Sequence, residues 1–139
     1  MRMRLGLLVG TLAVAATVCV TALAGSQSPP GVTIHHFVIG GTFPLSGPAA
    51  SYAPIPVGMK VYFTYANTHR WPDHKRGVGG RQIIWKYYDD GYSPPNTVQQ
   101  TRKLVEEDKV FALFGGLGTE PQQAVVDYLN QRSVLNRGR

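Results

Sequence analysis

Residues 37–47 read FVIGGTFPLSG, and this stretch decides the fold class. Its first three residues form a short apolar run that Gly and Pro bound, which is typical of a buried strand. The loop that follows, 44–56, is rich in Pro, Ser, Gly and Ala. Apolar residues then recur at helical spacing: Ile55, Met59, Tyr62, Phe63 and Ala66. We therefore predict a strand, a loop and a helix that has Pro56 in its first turn and ends near Asn67.

The strand-then-helix pattern occurs twice more along the chain. Residues 83–88 and 110–114 are apolar, β-branched or aromatic runs, and they predict a second and a third strand. Ser93 can cap the helix after the second strand, and Thr119 can cap the next one with Gln122 as its capping-box partner. The inner faces of these helices are predicted to be Val98, Thr101, Leu104 and Val105, and Ala124, Val125, Tyr128 and Leu129. The order β-α-β-α-β-α predicts an α/β fold, an open parallel sheet in three layers.

Ligands of open parallel sheets bind beyond the carboxyl ends of the strands, so the loops at these ends are the candidate site. In the first of them, residues 44–53, small residues let backbone N–H groups approach a ligand. Ser46 and Ser51 offer hydroxyls, and Tyr52 offers a ring that can cover an apolar group. A tight surface turn is the structural alternative for this loop.

The loop after the third predicted strand reads GGLGT at residues 115–119. Free N–H groups and the dipole of the following helix can hold an anion there, either a phosphate or a carboxylate. The loop is not a GxGxxG and no Gly-Lys-Ser/Thr follows, so it is weak as a nucleotide motif. Gly118 and Thr119 are therefore candidate ligand contacts, with a plain helix cap at Thr119 as the alternative.

Other chemistry is less well supported by the sequence. Asp89 and Asp90 are adjacent carboxylates, but side chains of adjacent strand-end residues point to opposite sides, which favours a turn over acid–base catalysis. We find no nucleophile–base pattern and expect no enzyme. Metal spacing is missing among His35, His36, His69 and His74, so we expect neither a metal nor another cofactor. A solvated loop is favoured over a nucleic-acid contact for Arg70, Lys75, Arg76 and Arg81.

The N-terminus has the pattern of a secretory signal. Arg2 and Arg4 precede twenty uncharged residues, 5–24, which end in Ala-Leu-Ala at 22–24. The alternative is a transmembrane anchor, although its Gly, Ala and Thr content lowers the hydrophobicity. Cleavage after the signal removes two basic residues and the only cysteine, so the net charge falls from +6 to +4. We expect an exported protein, in the periplasm or on the extracellular side, without a disulfide framework or a cysteine zinc site.

The remaining chain is short enough for one domain only. We predict a signal peptide at 1–24, a linker at 25–36, a partial lobe at 37–132 and an aberrant tail at 133–139. An α/β unit should go on to another strand after its third helix, whereas this tail is polar and basic. The chain is therefore expected to be truncated within its first lobe.

Four motifs, at residues 39–47, 87–92, 101–105 and 114–119, resemble in order and spacing the N-terminal part of ABC-transporter substrate-binding proteins. The closest subgroup is the branched-chain amino acid type, which binds leucine, isoleucine and valine, in the periplasmic-binding-protein type I family. The resemblance covers about residues 39–131. It implies a two-lobed, hinged protein that traps an amino acid between its lobes and delivers it to an ABC permease in the membrane.

The resemblance also implies roles for two residues of this chain. Tyr52 matches an aromatic residue that packs on the ligand, and Thr119 matches a hydroxyl residue that contacts the α-carboxylate. Residues 69–75 differ from the Gly-rich turn usual in the family, and residues 133–139 replace its fourth strand. The second lobe would then be missing, and the chain alone is expected not to bind. Which amino acid the protein prefers stays open.

Two alternatives to a solute-binding protein are an inert fragment and half of a secreted enzyme built on a dinucleotide-binding sheet. The lack of a GxGxxG motif argues against the enzyme. Binding of a nicotinamide cofactor would favour it.

Overall fold

The computed structural model describes residues 28–132 and the backbone of residues 135–137. The signal predicted at 1–24 lies outside this part of the chain. The elements alternate between strand and helix: β1 His36–Phe43, a 3-10 helix Gly47–Tyr52, α1 Pro54–Thr68, β2 Gln82–Asp89, α2 Pro94–Glu106, β3 Ala112–Phe114, α3 Thr119–Gln123, α4 Val126–Gln131 and β4 Leu135–Arg137.

The strands form one parallel sheet in the order β2-β1-β3-β4. Two separate apolar cores lie on its two faces, one under α1 and one under α2 and α4. The predicted α/β class, a parallel sheet in three layers, is confirmed. The predicted second strand is confirmed with one more residue at each end, whereas the third is shorter and begins at Ala112.

The prediction that residues 133–139 do not continue the sheet is wrong for three of them. Leu135–Arg137 runs parallel to β3, with Leu135 beside Ala112 and Arg137 beside Phe114. The edge of β3 presents unpaired backbone N–H and C=O groups, and a short extended segment satisfies them even without a strand-like sequence pattern.

The prediction of a linker at 25–36 is also wrong for its last residues. The N–H of Val38 donates to the carbonyl of Gly31 at 2.8 Å, and the Thr33 hydroxyl donates to the carbonyl of His36. Gly31 has φ +70°, and a Cβ there would lie 2.3 Å from the carbonyl oxygen of Lys109. Residues 31–36 thus fold back onto β1 and belong to the domain.

Successive side chains of β1 point alternately into the two cores. Val38 contributes to the core under α2, and Ile39 to the core under α1. Gly40 faces Leu104 of α2, where a Cβ would lie 2.7 Å from the leucine Cδ2. Glycine at this position lets α2 pack directly on the strand.

Only part of the predicted inner face of α1 is buried. Phe63 and Ala66 pack in the core with Met59 beside them, but Ile55 and Tyr62 are exposed. The helix has apolar residues on several sides, so the spacing of apolar residues did not predict its buried face correctly. In α2 the prediction holds: Thr101 and Leu104 are buried, and Val98 and Val105 pack against the same core. Ser93 is the N-cap residue of α2 but makes no side-chain capping bond.

The predicted third helix is broken into two. α3 and α4 are separated at Ala124 and Val125. Val125 and Leu129 are buried as predicted, whereas Ala124 is exposed, because it lies at the break between the two helices. The capping box at Thr119 is wrong, because Gly118 is the N-cap and no side chain caps the helix. Gln122 instead lies against Gly116, where a Cβ would come within 2.4 Å of its amide nitrogen.

Candidate functional site

The candidate site is the crevice at the carboxyl ends of β1 and β3. The chain leaves β1 toward β2 on one side and later enters β3 on the other. The two loops that follow β1 and β3 therefore diverge to opposite faces of the sheet and open a crevice between them. This is the place at which open α/β sheets bind ligands.

Close glycine contacts join the three loops of this end. A Cβ on Gly47 would lie 2.9 Å from the carbonyl oxygen of Gly91, and one on Gly118 would lie 2.7 Å from the ring of Tyr92. Gly118 also has φ +101°, a conformation that side chains rarely adopt. On the α1 side, Met59 touches the loop at Gly115. The loops thus form one continuous rim.

Ser46 is held by Asp89 of the neighbouring strand. Its hydroxyl donates to Asp89 Oδ2 at 2.5 Å, and Asp89 Oδ1 accepts from the N–H groups of Leu45, Ser46 and Gly91 at 2.8, 3.2 and 2.9 Å. The hydroxyl bond from Ser46 is the main reason why the pKa of Asp89 lies below its usual value. The Ser46 proton is therefore committed to Asp89, and only its oxygen lone pairs face a ligand.

Asp90 has a structural part in the turn after β2. Its side chain is fully buried and accepts from the N–H of Tyr92 at 2.9 Å and from the hydroxyl of Thr97 at 3.2 Å. The two carboxylates of Asp89 and Asp90 thus fix different backbone segments. The predicted turn role of the pair agrees with these bonds.

Two of the predicted contact residues are open to solvent. Tyr52, at the end of the 3-10 helix, is half exposed, and Thr119, the first residue of α3, is also exposed. The first N–H groups of a helix have no partner inside it. In the first turn of α3, Pro121 lacks an N–H group and Glu120 adds a negative charge, and both features disfavour an anion there. The sequence analysis did not take them into account.

Replacing Asp89 with alanine is expected to lower the free energy of unfolding by about 1 kcal/mol at neutral pH. Hydrogen bonds to a charged acceptor contribute about 1.5–3 kcal/mol, but Asp89 is exposed and solvent screens part of this. A depressed pKa stabilises the fold above the unfolded pKa of about 3.9, and that part is lost as the pH falls through the folded value. The difference between the wild type and Asp89→Ala should therefore shrink below about pH 4. Urea unfolding at several pH values measures it.

Two further variants separate the parts of this network. Asp89→Asn keeps one oxygen for the backbone N–H groups and should lie between the wild type and Asp89→Ala, without the acid dependence. Ser46→Ala should raise the Asp89 pKa toward its ordinary value. A stability of Asp89→Ala equal to the wild type at pH 7 would contradict the role of Asp89 as the anchor of the first loop.

The residues in 28–132 contain no helix long and apolar enough to cross a bilayer. Within the same range, no group of three or more His, Cys, Asp or Glu side chains is placed to hold a metal ion.

A parallel sheet with the order 2-1-3-4, and loops that meet at the reversal of strand order, define a doubly wound α/β domain with a ligand crevice. A family model described as periplasmic binding protein matches residues 37–136. The chain belongs to this family of solute-binding proteins, whose name implies an exported, periplasmic protein.

Solved structures with the same fold include substrate-binding proteins of transporters. The chain is 24% identical to LivJ from Streptococcus pneumoniae, a branched-chain amino acid transporter substrate-binding protein in complex with isoleucine, with a TM-score of 0.63 over 73% of this chain and 28% of LivJ. For a substrate-binding periplasmic protein from Ralstonia solanacearum the identity is 24% and the TM-score 0.62, over 71% and 27%.

A third similar structure is a fatty acid ABC transporter substrate-binding protein from Thermomonospora curvata. It is 26% identical, with a TM-score of 0.60 over 78% of this chain and 26% of that protein. The chain thus spans little more than a quarter of the length of these proteins. No curated protein sequence matches it significantly.

Proposed function

We propose that this chain supplies one wall of the amino-acid-binding crevice in the substrate-binding protein of an ABC importer. The observation that carries the proposal is the rim of three joined loops at the β1–β3 reversal, in a chain of the periplasmic binding protein family. The likeness to LivJ, whose structure contains isoleucine, favours an apolar amino acid as the ligand.

In this proposal each predicted site residue has a different part. The free N–H groups and the hydroxyl of Thr119 bind the ligand carboxylate, with Gly118 beside them, and the exposed ring of Tyr52 covers the apolar side chain. Ser46 holds the first loop through Asp89 and offers its lone pairs to the ligand ammonium group. The second wall comes from a second lobe, which closes over the ligand.

The wider assignment follows the family. We propose that the protein is exported by cleavage after Ala24, has no catalytic activity of its own and meets an ABC permease at the membrane. Because residues 28–132 provide only one wall, the isolated chain should leave a bound amino acid largely solvated and should not bind it in the micromolar range.

Titration of the isotope-labelled chain with leucine, isoleucine, valine and alanine tests the proposal by NMR. We expect the amide signals of Gly118 and Thr119 to shift, with a dissociation constant of about 1 mM or weaker. Inorganic phosphate and a nicotinamide dinucleotide are the comparison ligands. Stronger shifts with the dinucleotide than with the amino acids would contradict the proposal and favour a nucleotide-binding enzyme instead.

A further inference from the structure

The hairpin that follows α1 holds two arginines side by side. Arg70 and Arg76 are directly opposite in an antiparallel bridge, and the N–H of Trp71 donates to the carbonyl of Lys75 at 3.0 Å. Side chains at opposite positions share one face, with Cβ atoms about 4.5–5.5 Å apart, and like charges there are destabilising. Among residues 28–132, neither arginine forms an ion pair with a carboxylate.

Backbone contacts fix this basic hairpin, residues 70–76, to the end of α1. The carbonyl of Ala66 accepts from the indole Nε1 of Trp71 at 3.2 Å and from the N–H of Gly77 at 2.9 Å. A Cβ on Gly77 would lie only 2.0 Å from the carbonyl oxygen of Arg81, which leaves glycine as the residue that permits this approach. The hairpin is thus anchored to α1, and the fold keeps the two arginines close together.

An exposed apolar stripe on α1 leads to the hairpin. Val57, Val61 and Tyr65 recur every fourth residue, and Val61 is 66% exposed. Tyr65 stacks on His69 with ring centroids 4.7 Å apart, and His69 packs edge-on against Trp71. The stripe therefore ends in an aromatic cluster directly beside the basic hairpin.

We propose that the α1 stripe and the basic hairpin together form a surface that binds an anionic lipid bilayer. Valine and tyrosine side chains along a helix fit the boundary between headgroups and acyl chains, and the basic residues fit the negative headgroups. The hairpin itself holds three exposed basic residues, Arg70, Lys75 and Arg76, against one carboxylate, that of Asp73. A soluble polyanion would match these charges but would leave the apolar stripe exposed to water.

The surface is separate from the crevice. α1 begins after the carboxyl end of β1 and ends near the start of β2, so the hairpin lies at the opposite end of the sheet from the ligand loops. A bilayer along α1 leaves the crevice uncovered. The inference therefore stands or fails independently of the proposed ligand.

Vesicle sedimentation of the full chain tests the surface. The chain should partition more strongly onto vesicles of equal phosphatidylcholine and phosphatidylglycerol than onto phosphatidylcholine alone. The double variant Arg70→Gln, Arg76→Gln should lower the partition coefficient on the anionic vesicles roughly 30-fold at about 0.1 M salt, about fivefold for each charge. Residues 1–27, with Arg2 and Arg4, are the same in every variant, so their contribution cancels in the comparison between variants.

The matched control is Arg102→Gln, Lys103→Gln, which removes the same net charge from α2, outside the surface. Arg102 is on α2, across the sheet from α1, and the Debye length at 0.1 M salt is about 10 Å, so binding should change little. Val61→Ser should keep the preference for anionic vesicles but lower the binding roughly tenfold. Thermal unfolding checks that all variants fold alike, and removal of the opposed arginines should not lower the stability.

Three results would overturn the inference. Equal binding to neutral and anionic vesicles would exclude the headgroup contact, and equal losses in both double variants would reduce the effect to net charge. Self-association without vesicles that Val61→Ser abolishes would show that a second copy of the chain covers the stripe instead.

Discussion

Replacing Phe43 with alanine is expected to lower the free energy of unfolding by about 3–5 kcal/mol. Phe43 is the last residue of β1 and is fully buried. Its ring meets that of Trp85 edge-on at 6.0 Å, and Trp85 in turn meets Phe63 of α1 at 5.4 Å. Truncation therefore opens a cavity between the sheet, α1 and the floor of the crevice. Since small domains are stable by about 5–15 kcal/mol, this loss is a large fraction of the total stability.

Urea unfolding followed by circular dichroism measures the Phe43→Ala loss, and two variants calibrate it. Phe43→Met keeps most of the apolar volume with a flexible side chain and should lose less than about 1.5 kcal/mol. Tyr62→Ala removes a largely exposed ring from the same helical layer and should change the stability by no more than about 0.5 kcal/mol. Equal stabilities of Phe43→Ala and Phe43→Met would show that Phe43 does not organise this core.

Local patterns in the sequence predicted the order of the elements well, because the physics that sets them is local. β1 needs only a short apolar run between turns, and α2 needs Thr101 and Leu104 on one face. The pattern failed at α1, where Ile55 and Tyr62 are apolar but exposed. An amphipathic period selects a buried face only if the other faces are polar, and this helix has a single charge, on Lys60.

Features set by distant residues could not be predicted. Ser46 and Asp89 are 43 positions apart, and their hydrogen bond depends on the register of β1 against β2. The amide of Asn67 similarly both donates to and accepts from the backbone of Ile83 at 2.8 Å, on the outer strand of the sheet. A three-residue strand such as β4 forms because it pairs with the open edge of its neighbour, β3. Three residues are too few for a recognisable strand pattern, so the sequence could not predict it.

The candidate site shows the same division. The sequence predicted which loops meet, because the ends of parallel strands share one edge of the sheet. It did not predict that the Ser46 hydroxyl donates a hydrogen bond to Asp89, or that Gly118 and not Thr119 is the N-cap residue of α3. Both differences concern the choice of hydrogen-bond partner for a polar group. In a loop rich in Ser, Thr and Gly several residues can serve as that partner equally well, so the sequence does not decide between them.

In a form of the protein that includes the second lobe, replacing Thr119 with alanine is expected to weaken amino-acid binding roughly 10- to 150-fold, because the hydroxyl would donate to a charged carboxylate, worth about 1.5–3 kcal/mol. The structure separates this effect from stability. A capping threonine would contribute about 1 kcal/mol to the fold, but Thr119 makes no capping bond. Thr119→Ala should therefore unfold at nearly the same urea concentration as the wild type.

NMR titration with valine, beside urea unfolding, measures both quantities on the same protein. Thr119→Ser keeps the hydroxyl and should bind as the wild type does, while Glu120→Gln removes a negative charge from the first turn of α3 and should strengthen binding. If Thr119→Ala binds as well as Thr119→Ser, the carboxylate does not lie at this helix. If Thr119→Ala instead loses stability and affinity together, the hydroxyl maintains the loop, and the ligand contact belongs to the backbone N–H groups alone.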